Sequence, residues 1–315
     1  MNHSEGREQR AVAAWLDAYI DVESLSQTLH QYYELIKPRI ALLIVISTSV
    51  GYSYGVGQHF SLVTFFNALV GTALMAAGSA TLNQWYERDL DSLMNRTKMR
   101  PIPAGTITPG QALTFGIAVS VIGFLELLAF VNVLAAGLGL LTAVGYLFAY
   151  TPLKRKGPIC TTIGAFPGAM PPLIGYAAAS GHLTVQAWVL FAILFLWQFP
   201  HFHAIAWLYR EEYEKVGIKM LAVVKPTGSA LNVEIMTALL LLIPATLAPA
   251  FLHMAGKVYF AAAIVLNLAF LYFGVQMSRQ HARPRARKLL LASVIYVPLL
   301  FAFLVIDNPR FTSLF

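Results

Sequence analysis

The sequence predicts an all-α integral membrane protein of nine transmembrane helices, and three observations carry that expectation. Of the 315 residues, 57% are hydrophobic and only 12% are charged, whereas an ordinary soluble domain carries about 25% charged residues. The apolar residues gather into runs that match the roughly 20 residues a helix needs to cross a bilayer. The cations sort onto alternate connections between those runs.

The runs lie near 40–57, 62–83, 111–129, 132–150, 161–179, 184–207, 230–251, 258–277 and 288–306. Arg7, Arg10, Lys37 and Arg39 precede the first, and Arg88, Arg96, Lys98 and Arg100 follow the second. Lys154, Arg155 and Lys156 follow the fourth, and Arg210, Lys215, Lys219 and Lys225 the sixth. Arg279, Arg283, Arg285, Arg287 and Lys288 follow the eighth, leaving only Lys257 and Arg310 for the other side. By the positive-inside rule the N-terminus is cytoplasmic, the C-terminus is outside, and the long charged loops share the cytoplasmic face.

No Pro/Gly/Ser linker divides the chain, so one membrane domain is expected over 38–307, flanked by a cytoplasmic segment 1–37 and a short tail 308–315. The first 37 residues lack the basic, apolar and small-residue succession of a removable signal, and their acids do not suit a mitochondrial transit sequence. A bacterial cell (inner) membrane is the expected location. A single cysteine, Cys160, excludes an internal disulfide framework and CxxC metal sites. The net charge of +7 suits anionic lipid or an anionic substrate, and no motif points to nucleic acid.

The stretch "NQWYERDLDSLMNRTKMRP", residues 83–101, directly follows the second run. If the helix continues, Asn83, Glu87 and Asp91 are spaced i, i+4, i+8 and fan over about 80° of one face. Two carboxylates and an amide are hard oxygen ligands suited to Mg²⁺ held partly through substrate phosphates. Arg96, Lys98 and Arg100 follow, and can grip phosphate oxygens. The plain alternative is a solvated helix end, but positive-inside topology needs only Lys and Arg, not an Asn/Glu/Asp face.

Two further segments add to this. In "LWQFPHFHAIAWLYREEYEKVGIKML", residues 196–221, a continuous helix puts His201, Tyr209 and Glu212 on one face and His203, Arg210 and Glu214 on another. Only one histidine then faces the bundle centre with Glu212, and His201 is favoured. In "YLFAYTPLKRKGPICTTIGAFPGAMPPLIGYAAASG", residues 146–181, Lys154, Arg155 and Lys156 form a second cluster for phosphate or carboxylate. The Gly and Pro residues that follow let a span break or approach a bulky ligand.

Asn83-x-x-x-Glu87-x-x-x-Asp91 followed by "MNRTKMRP" resembles the first acidic motif of the UbiA superfamily of intramembrane prenyltransferases. "LIKPRI", "YTPLKRKGP", "IGAFPGAMPPLIGY", "WQFPHFHAIAW" and "YREEYEKVGIKML", in that order, resemble its heme O synthase branch. Five positions depart from the pattern. Glu87 stands where Asp is frequent, Glu211 and Glu212 replace an Asp pair, Lys219 stands where Pro is common, and Cys160 where Asn is expected.

The resemblance implies a UbiA-type bundle, with farnesyl diphosphate as donor and protoheme IX as acceptor; heme is then a substrate, not a permanent cofactor. It implies Mg²⁺ on Asn83, Glu87, Asp91 and Glu212, with Tyr209 completing the catalytic set. Arg96, Lys98, Arg100, Lys154, Arg155 and Lys219 become candidates for diphosphate or propionate. His201, His203 and Trp197 become candidates for heme contact, and Tyr150 and Tyr213 for shielding the prenyl cation. Membrane lipid is the surrounding solvent, and heme A synthase or terminal-oxidase assembly is the implied protein partner. Two other readings are a relative that prenylates an aromatic quinone precursor and a non-catalytic heme carrier or transporter.

Overall fold

A computed structural model describes residues 25–57 and 60–309. Arg7, Arg10 and Arg310 of the charge-sorting argument, with most of the expected N-terminal segment and C-terminal tail, lie outside the described residues. Among the described residues every regular element is helical.

Helix α1 (Leu25–Leu35) meets α2 (Pro38–Gly55) at a 55° bend. Then come α3 (Leu62–Asp91), α4 (Pro109–Phe130) and α5 (Val133–Leu153), the last containing a π-helical stretch at Gly145–Tyr150. Two short helices follow, α6 (Cys160–Ala169) and α7 (Pro171–Ser180), and then α8 (Val185–Leu208), α9 (Arg210–Lys215) and α10 (Leu221–Val224). The chain closes with α11 (Ser229–Phe251), α12 (Lys257–Arg279) and α13 (Arg283–Ile306).

Polar caps set several of these boundaries. Ser61 accepts the Thr64 N–H at the start of α3, and Thr108 with Gln111 forms a reciprocal capping box at the start of α4. Asn132 accepts the Ala135 N–H at the start of α5.

The expectation of nine continuous spans is met only in part. Seven described helices are long and apolar enough to cross a bilayer, and an eighth is reached if α1 and α2 count as one bent span. The run at 161–179 is not one helix. Pro171 and Pro172 break it after Met170, and the halves have 10 residues each. They nonetheless run antiparallel to the length of α5, because Gly164 lies against the Tyr150 ring at one end while Asn132 Nδ2 donates to Ala177 O at the other.

Close helix approach uses small residues, since lipid supplies no hydrophobic drive between spans. At Gly51 of α2 a Cβ would collide with the Pro172 carbonyl of α7, and at Gly175 of α7 with the Thr48 carbonyl of α2. These two backbones therefore touch. Between α11, α12 and α13 a buried polar chain links Tyr296 to Asn267 Oδ1 at 2.7 Å and Asn267 Nδ2 to Thr246 Oγ1 at 2.7 Å. Tyr259 donates to Thr246 O at 2.7 Å and closes it.

Candidate active site

The end of α3 is the centre of the charged cluster. Its helix does run on through Asp91, and Asn83, Glu87 and Asp91 are all buried, at 1%, 9% and 1% exposure. The i, i+4, i+8 spacing thus turns three oxygen-bearing side chains inward, while Asp89, off that face, is exposed. A separate element supplies a cation to each. Lys37, in the break between α1 and α2, donates to Asn83 Oδ1 at 3.2 Å. Lys154, just past α5, donates to Glu87 Oε1 at 2.8 Å, and Arg100, in the loop after α3, to Asp91 Oδ2 at 2.6 Å.

Helix α5 holds the amide. Tyr146 donates to Asn83 Oδ1 at 3.3 Å, and Asn83 Nδ2 donates to Thr151 Oγ1 at 3.2 Å, whose own proton goes to Tyr146 O. The π-helical stretch lies between Tyr146 and Thr151, where such insertions commonly mark functional segments. Tyr150 places its ring 4.7 Å from Lys154 Nζ. It has room to do so because Gly164 presents no side chain, and a Cβ there would strike the ring.

The second acidic segment reaches the first through Arg96. The Arg96 N–H donates to Glu212 Oε2 at 3.3 Å, Arg96 Nη2 donates to the Tyr213 hydroxyl at 3.0 Å, and the guanidinium lies 4.8 Å from the Tyr209 ring centre. The Lys219 N–H donates to Lys154 O at 2.7 Å, so the same segment also holds the α5–α6 connection.

Charge crowding is physical here. Burial, reinforced by Arg100 and Lys154, lowers Lys37 from its ordinary value to about 7, against the opposing pull of Glu87 and Asp91. Burial also disfavours the Lys154 charge, yet Tyr150 and Glu87 outweigh it and hold that pKa above the usual lysine range. Lys37 itself sits at φ 51°, a left-handed conformation uncommon for a non-glycine residue.

One expectation needs correction. Helix α8 ends at Leu208 and the chain turns at Tyr209, so His201 and Glu212 do not share one continuous face. His201 Nδ1 instead meets Ser293 Oγ of α13 at 2.8 Å, and its ring stacks on Trp197 at 4.9 Å. His203 is fully buried against α11, with Nε2 2.7 Å from Glu234 Oε2. Lys98, Arg155 and Lys219 are exposed, and their side chains make no ion pair among the described residues. Trp197 is buried, with its N–H given to Ser293 O at 2.8 Å.

The hydrogen-bond geometry around Ser293 favours one tautomer of His201. Ser293 gives its one proton to Leu290 O at 2.6 Å, so it accepts from His201 Nδ1–H. His201 Nε2 is left as the lone-pair nitrogen, the form that ligates a metal.

Lys37, Tyr146, Thr151 and Ser293 are the site residues the sequence did not single out. Lys37 stands in the quoted "LIKPRI" as a topology charge and Thr151 in the quoted "YTPLKRKGP", while Tyr146, Thr151 and Ser293 carry no charge to mark them.

The donor set suits a magnesium ion that keeps ligands from elsewhere. Two buried carboxylates and an amide are hard oxygens, and among the described residues no group of three or more His, Cys, Asp or Glu gathers tightly enough to hold a metal unaided. Water or a bound anion would complete such a shell. An open apolar groove of about 620 Å³, lined by Asn132, Leu134, Leu138, Leu141 and Gly181, lies at the other end of α5 and takes no part.

Fold and site together define a membrane-embedded helical bundle with a cation-rich, oxygen-lined polar end. Residues 44–304 match the UbiA prenyltransferase family, and the chain belongs to that family. It is thus a membrane-bound transferase of the prenyltransferase class. A relative from Solibacter usitatus, called protoheme IX farnesyltransferase, is 48% identical over 89% of this chain and 99% of its own. The fold resembles that of a solved digeranylgeranylglyceryl phosphate synthase, with a TM-score of 0.75 at 17% identity, covering 89% of this chain and 98% of that one. It also resembles a UbiA homologue from Archaeoglobus fulgidus bound to GPP and Mg²⁺, with a TM-score of 0.59 at 17% identity over 87% and 99% of the two chains.

Proposed function

We propose that this chain transfers the farnesyl group of farnesyl diphosphate to a vinyl group of protoheme IX. The allylic C–O bond breaks with its electron pair leaving on diphosphate. The vinyl terminus donates its π electrons to the allylic carbon, and water adds to the resulting cation and loses a proton. The product is a hydroxyethylfarnesyl heme plus diphosphate.

The observation that carries the donor half is the inward Asn83/Glu87/Asp91 face met by Lys37, Lys154 and Arg100 from three elements. Asn83, Glu87 and Asp91 would hold Mg²⁺, with Glu212 a further ligand candidate beside Arg96, and the ion when bound neutralises charge on the departing diphosphate. Arg96, Arg100 and Lys154 orient the phosphate oxygens, and the rings of Tyr150, Tyr209 and Tyr213 face the positive charge that builds on the prenyl carbon. The acceptor is taken from the 48%-identical relative's name. His201 Nε2 is the candidate heme-iron contact, with Trp197 stacked behind it.

In this reading α6 and α7 together make one broken crossing, which brings the crossings to nine. The N-terminus and the site then face the cytoplasm of a bacterial cell, with the membrane domain over 38–307.

Membranes carrying the protein, incubated with farnesyl diphosphate and either heme or 4-hydroxybenzoate, test the reading by mass spectrometry. The expected product is heme heavier by one farnesyl group and one hydroxyl group. A prenylated benzoate beside unmodified heme would assign the acceptor to the quinone-precursor class instead, and unmodified heme with no diphosphate released would point to a carrier.

A further inference from the structure

Both carboxylates on the inward face of α3 are already engaged. The Glu87 side chain is 11% exposed and its partner Lys154 15%, while Asp91 is 2% exposed and Arg100 25%. Each pair sits at hydrogen-bond distance where solvent screens little. Lys37 adds a third cation one helical turn from Glu87, on an uncharged amide.

A divalent ion arriving alone must displace Lys154 from Glu87 and Arg100 from Asp91. The displaced ammonium is left beside the Tyr150 ring, with Lys37 nearby and, among the described residues, no other carboxylate in an ion pair with it. Leaving a buried charge without its partner is the expensive outcome. If the same ion arrives with a diphosphate, the two cations exchange carboxylate oxygens for phosphate oxygens, which are equally good charge-assisted acceptors.

We propose that Lys154 and Arg100 are exchangeable counter-ions that keep the metal site closed until a diphosphate arrives, so that metal and diphosphate enter together. Lys154 and Arg100 are thereby positioning residues with two successive partners, first a carboxylate and then a phosphate. The proposal rests on the metal–diphosphate reading of the site given above.

Mn²⁺ serves as the probe, its binding to the detergent-solubilised full chain followed by electron paramagnetic resonance. It is titrated with and without farnesyl thiodiphosphate, an unreactive donor analogue. For the native chain, Mn²⁺ alone should bind at least about a hundredfold more weakly than Mn²⁺ with the analogue. Lys154→Gln and Arg100→Gln, in different elements, should each strengthen binding of Mn²⁺ alone by about tenfold or more while weakening binding of the analogue. Opposite signs on the two ligands distinguish this from general damage to the site, which lowers both. Unfolding temperatures measured on the same preparations identify a variant that has not folded, and the other variant then decides.

Equal Mn²⁺ affinity with and without the analogue in the native chain overturns the proposal. So does unchanged or weaker binding of Mn²⁺ alone in the folded variants. Failure of Mn²⁺ to bind even with the analogue overturns the metal–diphosphate reading itself, and the proposal with it.

Discussion

Arg96 Nη2 donates to the Tyr213 hydroxyl at 3.0 Å, and this contact ties the loop after the first acidic motif to the segment that carries the second. The same guanidinium lies over the Tyr209 ring, 4.8 Å from its centre. One flat cation thus reaches two aromatic residues that the proposed chemistry places against the prenyl carbon. Arg96→Lys keeps the charge but loses the planar fork and the stacking. We expect kcat/KM for farnesyl diphosphate to fall about tenfold in Arg96→Lys, with little change in unfolding temperature. Steady-state kinetics that match the native chain would remove Arg96 from the site.

Asp91→Asn preserves size and keeps an acceptor for Arg100, but it removes a charge from a side chain that is 2% exposed. Glu87→Gln does the same against Lys154. If these carboxylates hold the metal, release of diphosphate should fall by about a hundredfold or more in either variant. Heme binding, followed by its absorption band, should persist. Near-native diphosphate release would instead favour a carrier.

The first acidic motif was legible because a helical repeat of oxygen ligands needs no tertiary information: Asn83, Glu87 and Asp91 lie one turn apart along α3. Span positions followed from apolar run length. The broken helix at 160–180 was foreshadowed by its Gly and Pro residues, yet the break at Met170 could not be placed from them. His201 was put beside Glu212 by extending one helix through Tyr209, and the turn at that residue undoes the phase between them. Lys37 looked like one more topology charge. Its role depends on a left-handed backbone and on α2 packing near α3, neither of which appears in local sequence.

Ser293 on α13 and His201 on α8 are far apart in sequence, and their contact favours the tautomer with Nε2 bare. Ser293→Ala removes the acceptor for Nδ1–H and lets the proton move to Nε2. If Nε2 contacts heme iron, the heme absorption band should shift and the acceptor KM should rise, while the donor KM stays the same. Unchanged heme spectra in Ser293→Ala, taken together with unchanged spectra in His201→Phe, would exclude the iron contact.

Lys37 gives the fold a predictable pH dependence. Burial, with Arg100 and Lys154 nearby, lowers its pKa from 10.5 to about 7 in the folded state. Between those values the unfolded chain binds the extra proton, so stability rises as pH climbs from about 7 towards about 10. Below pH 7 both states are protonated and the full cost of the buried charge remains. Thermal unfolding in detergent should therefore show a steeper rise over this range in the native chain than in Lys37→Met. Parallel curves would mean that Lys37 is not held in the buried position described.

The polar chain through Asn267 offers a separation of stability from catalysis. Asn267 accepts from Tyr296 and donates to Thr246, both at 2.7 Å, among helices α11 to α13 and apart from the Glu87 and Asp91 pairs. Asn267→Ala strands the Tyr296 hydroxyl in an apolar interior and leaves a gap where the amide was. An unsatisfied buried polar group costs about 1–3 kcal/mol, so the unfolding temperature should drop measurably. Asn267→Ala with Tyr296→Phe removes both partners of the lost bond, and part of that loss should return. The protein that remains folded in either variant should turn over at the native rate per molecule. A fall in turnover without a fall in stability would mean that this network reaches the charged end of the bundle.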